Sequence, residues 1–212
     1  MATVENIIDE VEDEIKQTIT ASSDGVTPAK CIRFLNRISD HIVNLCVTQR
    51  SELGKTTGSI TTVDGTASYT TFATTMHTPD KWGYILKTDS KPLIKLISEH
   101  ESTGYGFATT QEAEPEAFYV TGANAIVLCP TPDAVYTVAI PYWYKQTTLT
   151  AESDTIPFNG LFDDLYTRCL SMWVQNRDEY RQDFELNWRN EILGSVLAVL
   201  DARKKSFSLK VA

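Results

Sequence analysis

The sequence predicts an α+β fold in which the N- and C-terminal segments form a helical bundle and an antiparallel β-rich domain is inserted between them. Apolar residues recur at helical spacing at both ends of the chain, whereas residues 56–145 lose that period and become rich in Thr, Ser and short alternating runs. Within that segment, Gly/Asn and Pro/Asp clusters separate runs of strand-forming residues. The predicted boundaries are 1–55 and 158–204 for the bundle, 56–157 for the β domain and 205–212 for a C-terminal docking tail.

Two amphipathic helices are predicted at the N-terminal end. Residues 3–19 begin with Thr3 as a cap and carry an apolar stripe at a period of 3.6 residues, opposite a strongly acidic face. That face is either simply solvated or a surface that meets a partner. Residues 27–50 begin with Thr27 and Pro28, a cap followed by proline at the first helical position. The apolar stripe of this second helix is wide, which predicts burial on more than one side.

The first half of the β-rich segment predicts two hairpins. The Asp64-Gly65 turn indicates that residues 57–63 and 67–72 are paired strands. Residues 81–87 alternate as a strand, and after a polar turn Pro92 introduces a further strand over 93–97. The sequence over residues 98–115 predicts no clear helix or strand.

The second half of the β-rich segment predicts a meander of three consecutive strands. Residues 118–121 and 125–128 flank the Gly122-Ala123-Asn124 turn, and a Pro/Asp-rich turn leads to alternation over residues 134–144. We expect these three strands to lie side by side in chain order.

The C-terminal third predicts helices followed by a basic tail. Residues 159–204 show helical periodicity, and the polar run at 175–179 indicates a break into two helices. Beyond residue 200 basic and apolar side chains interleave, which suits a segment that adds to a partner's sheet edge or docks as a hook, although a frayed terminus has the same composition. The candidate partner-binding residues are Arg203, Lys204, Lys205, Phe207 and Leu209.

Composition disfavours nucleic-acid binding and catalysis. The net charge of −9 opposes a general attraction to phosphate backbones. The four cysteines lie far apart within apolar runs, no CxxC occurs, and the three histidines form no ligand pair at helical spacing. No nucleophile elbow, phosphate loop or metalloprotease motif is present. We therefore expect a protein that is not an enzyme, with no metal and no cofactor, although a site built from carboxylates alone leaves few sequence traces.

Local patterns of turn and strand residues recur through the chain. They are Ser68-Tyr69-Thr70, Lys91-Pro92-Leu93, PEAFYVTG at 115–122, IVLCPTP at 126–132, residues 136–144 and TIPF at 155–158. Together with the order of the elements, two helices, a β-rich segment and long C-terminal helices, these patterns resemble the head–tail adaptor (head-completion or connector) proteins of tailed bacteriophages. The resemblance covers nearly the whole chain.

The resemblance implies a structural virion protein at the neck of the particle, made in the host cytoplasm. Such adaptors form a homo-oligomeric ring, expected here as a dodecamer, that lies under the portal, extends the DNA channel and joins the capsid to the tail. The implied partners are the portal protein, tail or neck proteins and further copies of the same chain. Packaged DNA would pass through the ring without sequence-specific binding. The C-terminal segments of such adaptors commonly embrace the portal, which corresponds here to residues 201–212.

Two alternatives remain open at this stage. The first is another neck or tail-tube component, which would share both composition and partners. The second is a β-sandwich carbohydrate-binding or hydrolase protein, because several aromatic residues of the β-rich segment could stack on sugars. Those aromatics are Trp82, Tyr84, Tyr142, Trp143 and Tyr144.

Overall fold

The structure, a computed structural model, describes residues 2–21, 25–88, 90–104, 112–176 and 182–208. The chain divides into two compact units, residues 1–53 with 146–212 (the helical unit) and residues 54–145 (the sheet unit). The helices are α1 (Val4–Ile15), α2 (Pro28–Thr48), α3 (Glu99–Gly104), α4 (Asp163–Gln175) and α5 (Gln182–Ser208), with a short 3-10 helix at Phe158–Gly160. The strands are β1 (Lys55–Thr61), β2 (Ser68–Tyr69), β3 (Met76–Pro79), β4 (Trp82–Leu86), β5 (Leu93–Leu96), β6 (Ala117–Val120), β7 (Ile126–Cys129) and β8 (Thr137–Tyr144).

The helical unit is organised around α4, which packs against α1, α2 and α5. Helix α1 begins as predicted at Thr3, whose hydroxyl accepts from the Asn6 amide while the Asn6 side chain accepts from the Thr3 amide. Proline at the first position of α2 also agrees with the prediction. Helices α4 and α5 are separate elements, as the polar run at 175–179 predicted. The apolar stripe of α1 is buried, so its acidic side faces solvent.

The segment that connects the sheet strands to α4 holds both N-terminal helices in place. The backbone amide of Val4 donates to the carbonyl of Asp154 at 2.9 Å, and the amide of Ile156 donates to the carbonyl of Ala2 at 3.0 Å. The Asn36 side chain on α2 bonds both the amide and the carbonyl of Leu149, each at 2.9 Å. These links satisfy backbone groups that α1 and the connecting segment would otherwise leave unpaired.

The sheet unit contains a curled eight-stranded sheet in the order β1-β8-β4-β5-β6-β7-β2, with β3 also paired to β8. Strand β8 is the centre of this arrangement. It pairs along its length with β1, while its other edge is shared between β4 and β3. One face of the sheet covers the main apolar cluster of the unit. The buried members of that cluster are Ile60, Phe72, Met76, Ile85, Ile94, Phe118, Ile126, Leu128, Val138, Ile140 and Tyr142.

The predicted fold class is wrong. The structure is mixed α/β, with one curled eight-stranded sheet and five helices in its described residues, and not a helical bundle with an inserted antiparallel domain. Strands β5 and β6 run parallel, with Lys95 opposite Ala117. A parallel pair needs a long crossover, and here it spans the segment 98–115 for which no clear element was predicted and in which α3 lies. Alternation along a strand reveals its two faces but not the direction of its neighbour.

Two predicted strand pairings are also wrong. Strand β1 does not pair with the strand that follows the Asp64-Gly65 turn; it pairs with β8, and β2 pairs with β7. The expected three-strand meander is broken because β8 does not follow β7 in the sheet. The β4–β5 and β6–β7 hairpins are confirmed, with Tyr84 opposite Leu93 and Tyr119 opposite Val127.

None of the helices in the described parts of the chain has the length and apolar character required to cross a membrane.

Candidate interaction surfaces

The four cysteine side chains are buried, as the sequence predicted from their apolar surroundings. Burial raises the pKa of the Cys31 thiol to about 12 and that of the Cys169 thiol to about 12. Burial also raises the pKa of Cys129. Because the thiolate is the reactive form, these thiols are poor nucleophiles near neutral pH. Among the described residues, no group of three or more His, Cys, Asp or Glu side chains is arranged to hold a metal ion.

A buried polar pair links α2 to α4. The hydroxyls of Ser39 and Tyr166 lie 2.7 Å apart, and the Ser39 hydroxyl also lies 3.0 Å from the carbonyl of Leu35, to which it donates. Both residues are almost fully buried. Burial raises the pKa of Tyr166, and the hydrogen bond to Ser39 opposes that rise. The pair satisfies two hydroxyls inside an apolar core, which is a structural role and needs no ligand.

An acidic row lies on the exposed side of α1. It consists of Glu5, Asp9 and Asp13, which follow one another at four-residue spacing and are all exposed. Residues four apart lie above one another on a helix, so the three carboxylates form a line about 12 Å long. Two further acids of α1 bond within the chain: Glu10 accepts a hydrogen bond from Thr167 of α4, and Glu12 accepts one from the amide of Ile19. Glu14 is exposed beside the row.

A basic groove lies on a different side of the helical unit. It has a volume of about 300 Å³ and is lined by Lys30, Arg33, Phe34 and Arg37 of α2 and by Trp173 of α4. The rings of Phe34 and Trp173 stack with their centroids 5.2 Å apart and their planes inclined by 15°, which forms an aromatic floor. The three cations are exposed along one edge at positions i, i+3 and i+7, a line about 10 Å long.

The groove already holds one carboxylate from its own chain. A terminal nitrogen of Arg37 lies 3.0 Å and 3.3 Å from the two carboxylate oxygens of Glu185, on α5. The guanidinium of Arg37 also lies 5.4 Å from the centroid of the Trp188 ring. Stacking on an aromatic ring leaves the guanidinium N–H groups free to bond anions.

The sheet unit exposes an apolar patch on the outer face of β4 and β5. Trp82 and Leu93 are 47% and 64% exposed, and Leu86 is 42% exposed. Tyr84, which lies opposite Leu93 in the sheet register, is half-buried and has the Lys91 ammonium 5.7 Å from its ring centroid. Contiguous exposed apolar side chains of this kind occur at protein contact surfaces.

The aromatic residues considered for sugar stacking do not form one exposed platform. Tyr142 belongs to the buried cluster and packs against Phe72, and Trp143 is only 3% exposed. Trp82 and Tyr84 lie on the outer face. The structure therefore separates the five aromatics instead of gathering them around a ligand.

The sequence-predicted partner-binding residues lie at the end of α5. The backbone of Arg203, Lys204, Lys205 and Phe207 is helical, because α5 continues to Ser208. Leu209 lies outside the described residues. The proposed contacts of these five residues remain predictions.

Sequence reasoning missed the basic groove. Lys30, Arg33 and Arg37 recur at helical spacing, opposite the buried Cys31 side of α2, and that signal was available in the sequence. The aromatic floor was not predictable in the same way, because Phe34 and Trp173 come from segments about 140 residues apart and were interpreted only as core.

A family model for the SU10 adaptor protein matches residues 2–205, which is nearly the whole chain and includes both units. The chain belongs to the SU10 adaptor protein family. This is a family of phage head–tail adaptors, so the resemblance drawn from the turn and strand patterns is confirmed. No curated protein matches the chain at a significant level. Family membership makes this chain a phage adaptor protein of structural type and implies contacts with head and tail components.

Proposed function

We propose that this adaptor forms a ring under the portal vertex, extends the channel through which DNA passes and joins the capsid to the tail. The observation that supports the proposal is the match to a head–tail adaptor family over residues 2–205. The net charge of −9 is compatible with this role, because an acidic wall lets DNA slide past without sequence-specific binding. In this role the protein is a virion component at the neck of the particle.

The C-terminal end of α5 is the proposed contact with the portal. Arg203, Lys204 and Lys205 give this end a local positive charge in an acidic protein, and Phe207 and Leu209 supply apolar anchors. Docking fixes the long side chains of this helical end and so costs conformational entropy, which a partner with an already formed groove keeps small. The identical −9 charge on each copy opposes association in free solution, and a portal template would offset that repulsion.

Deletion of residues 207–212 tests this proposal. The shortened protein is expected to remain folded, because every core residue whose side chain the structure describes precedes this segment. It is also expected to lose co-sedimentation with DNA-filled, tailless heads, whereas the full-length protein binds them. Circular dichroism of the shortened protein checks folding, and a Val135→Ser variant, altered at a 72% exposed site of the sheet unit, is the control for a surface change.

Three results would count against the proposal. Full-length protein that fails to bind portal-containing heads contradicts the adaptor position itself. Undiminished binding by the shortened protein places the portal contact elsewhere. Binding to purified tails but not to heads favours the other neck or tail-tube role.

A further inference from the structure

The basic groove and the acidic row are complementary in charge, number and length. The groove presents Lys30, Arg33 and Arg37 in a line about 10 Å long, and α1 presents its three carboxylates in a line about 12 Å long. Lines of three opposite charges with nearly equal spacing can pair along their length, with Arg37 shared between the incoming carboxylate and its own Glu185. We propose that the groove of one copy receives the acidic row of a second copy, an inference that rests on the proposed ring-forming function.

The groove is suited to carboxylates. Arg37 already binds the Glu185 carboxylate from within the same chain. Next to it, the Arg33 side chain approaches only a backbone carbonyl of its own helix, that of Ala29 at 3.4 Å, among the contacts of the described residues. The aromatic floor of Phe34 and Trp173 excludes water from one side of the cations, which strengthens their attraction to an incoming carboxylate.

A chain cannot place its own acidic row in its own groove. Helix α1 packs on the side of α4 that carries Thr167, which donates to Glu10 at 2.8 Å. Trp173, the residue of α4 that lines the groove, comes six residues later and therefore lies about 120° around the helix. The row also lies opposite the buried stripe of α1, so it points away from α4. The carboxylates must come from another molecule.

The pairing joins two different surfaces of the same protein. An interface of this kind is head-to-tail, and each copy keeps one free row and one free groove for the next neighbour. Repetition closes into a ring when the rotation between neighbours divides a full turn. Because the contact is made of exposed ion pairs, it is weak and decreases with salt, so a template that concentrates the copies favours it.

A charge exchange at the central pair tests the inference. Asp9 and Arg33 are the middle residues of their rows, so they face each other whether the two helices run parallel or antiparallel. At a protein concentration high enough to offset the repulsion between identical copies, Asp9→Arg and Arg33→Asp are each expected to weaken self-association about tenfold, measured by sedimentation velocity. The double variant, which exchanges the charges, is expected to recover association to within about threefold of wild type.

The controls are two charge reversals at exposed sites of the sheet unit. Asp64→Arg matches the charge change of Asp9→Arg, and Lys95→Asp matches that of Arg33→Asp. They change the net charge equally and are expected to leave self-association unchanged apart from the effect of total charge. Loss of association in both single variants without recovery in the double variant overturns the inference, because Asp9 and Arg33 then act in two separate contacts and do not face each other. Unchanged association in the Arg33→Asp variant also overturns it, because the groove then binds something other than a second copy, such as nucleic acid or an acidic segment of another protein.

A cysteine pair provides a second measurement that is independent of affinity. Protein carrying Asp9→Cys, mixed with protein carrying Arg33→Cys under mild oxidation, is expected to form a disulfide-linked dimer. Neither variant alone is expected to do so. The four natural cysteines are buried and do not compete. Failure to form the mixed disulfide at high protein concentration overturns the inference.

The two proposals fail in different ways. If the two cysteine variants form the mixed disulfide but wild-type protein does not bind portal-containing heads, the adaptor position is contradicted and the contact between copies still stands. Protein that binds such heads normally but forms no mixed disulfide, on the heads or in solution, contradicts only the contact proposed here.

Discussion

Two glycines, one in each unit, occupy opposite kinds of site, one against a closed core and one on an open helix face. A Cβ atom on Gly58 of β1 would lie 2.4 Å from two ring carbons of Phe72 and 2.9 Å from the Tyr142 ring. A Cβ atom on Gly194 of α5 would meet no atom within 4 Å. The sheet unit therefore closes its core against the backbone of an edge strand, whereas the helical unit leaves an exposed face open along α5.

The exposed surfaces of the two units also differ, because one carries ordered charge and the other carries apolar side chains. The helical unit presents ordered charge, in the acidic row of α1 and the basic groove of α2 and α4. The sheet unit presents exposed apolar side chains such as Trp82 and Leu93. Ordered charge selects its partner by complementarity, whereas apolar area contributes affinity with little directional preference. The helical unit is thus the better candidate for specifying which molecule lies beside it.

The largest expected effect comes from opening the core of the sheet unit. Phe118→Ala removes a fully buried ring from the main cluster and should lower the free energy of unfolding by about 3–5 kcal/mol. Urea denaturation followed by circular dichroism measures the change. Val135→Ala, at a 72% exposed site in the same unit, is the control and should change stability by less than about 0.5 kcal/mol. A small effect of Phe118→Ala would show that this cluster relaxes around a cavity.

The core of the helical unit contains a buried pair of hydroxyls, so its stability should depend on a hydrogen bond as well as on apolar packing. Ser39→Ala leaves the Tyr166 hydroxyl buried without its partner and should cost about 1–3 kcal/mol. Tyr166→Phe in the same protein removes the stranded hydroxyl, so the double variant should be more stable than the two single effects predict by addition. A double-mutant cycle from urea denaturation curves checks this, and simple additivity would show that the two hydroxyls act independently.

Gly58→Ala should test how tightly the sheet core is closed. The added methyl group overlaps the Phe72 ring and also lies close to the Tyr142 ring, against which Phe72 packs, so the substitution should cost about 1–3 kcal/mol. Gly122→Ala is the matched control, because a Cβ atom there meets nothing within 4 Å. Equal stability of the two variants would mean that β1 shifts outward freely.

Gly194→Ala should have the smallest effect and the opposite sign. Gly194 is exposed within α5, where alanine restricts the unfolded chain and favours helix, so the substitution should raise the free energy of unfolding by about 0.5–1 kcal/mol. Thermal and urea denaturation both measure it. A loss of stability would indicate that the glycine is required by a contact outside the described residues.

The sequence allowed prediction of features that depend on neighbours within a few residues. Thr3 as a cap, Pro28 at the start of a helix and the β6–β7 turn all have local signals, and all were confirmed. The pairing of β1 with β8 has no local signal, because an alternating strand matches many partners equally well. The Asp64-Gly65 turn was interpreted as a hairpin loop, yet its flanking strands diverge to different neighbours.

The same limit applies to the candidate site. The bases of α2 and the acids of α1 were visible in the sequence, but only the contact between Phe34 and Trp173 turns the bases into a groove. The parallel β5–β6 pair was missed because its crossover segment has no periodic pattern. The aromatic floor of the groove and the parallel strand pair both depend on contacts between segments that are distant in the sequence, and such contacts leave no local pattern.

The position of β8 has a consequence for the time course of folding. Lys55 pairs with Trp143, so β1 leaves the ribosome long before its partner is made. At about 5–20 residues per second, the wait is on the order of ten seconds. Strands β3 and β4 also depend on β8, which makes the sheet slow to complete and leaves open edges on the nascent chain during that interval. A cell producing many copies for particle assembly would hold a sizeable pool of such unfinished chains, for which chaperone binding competes with aggregation.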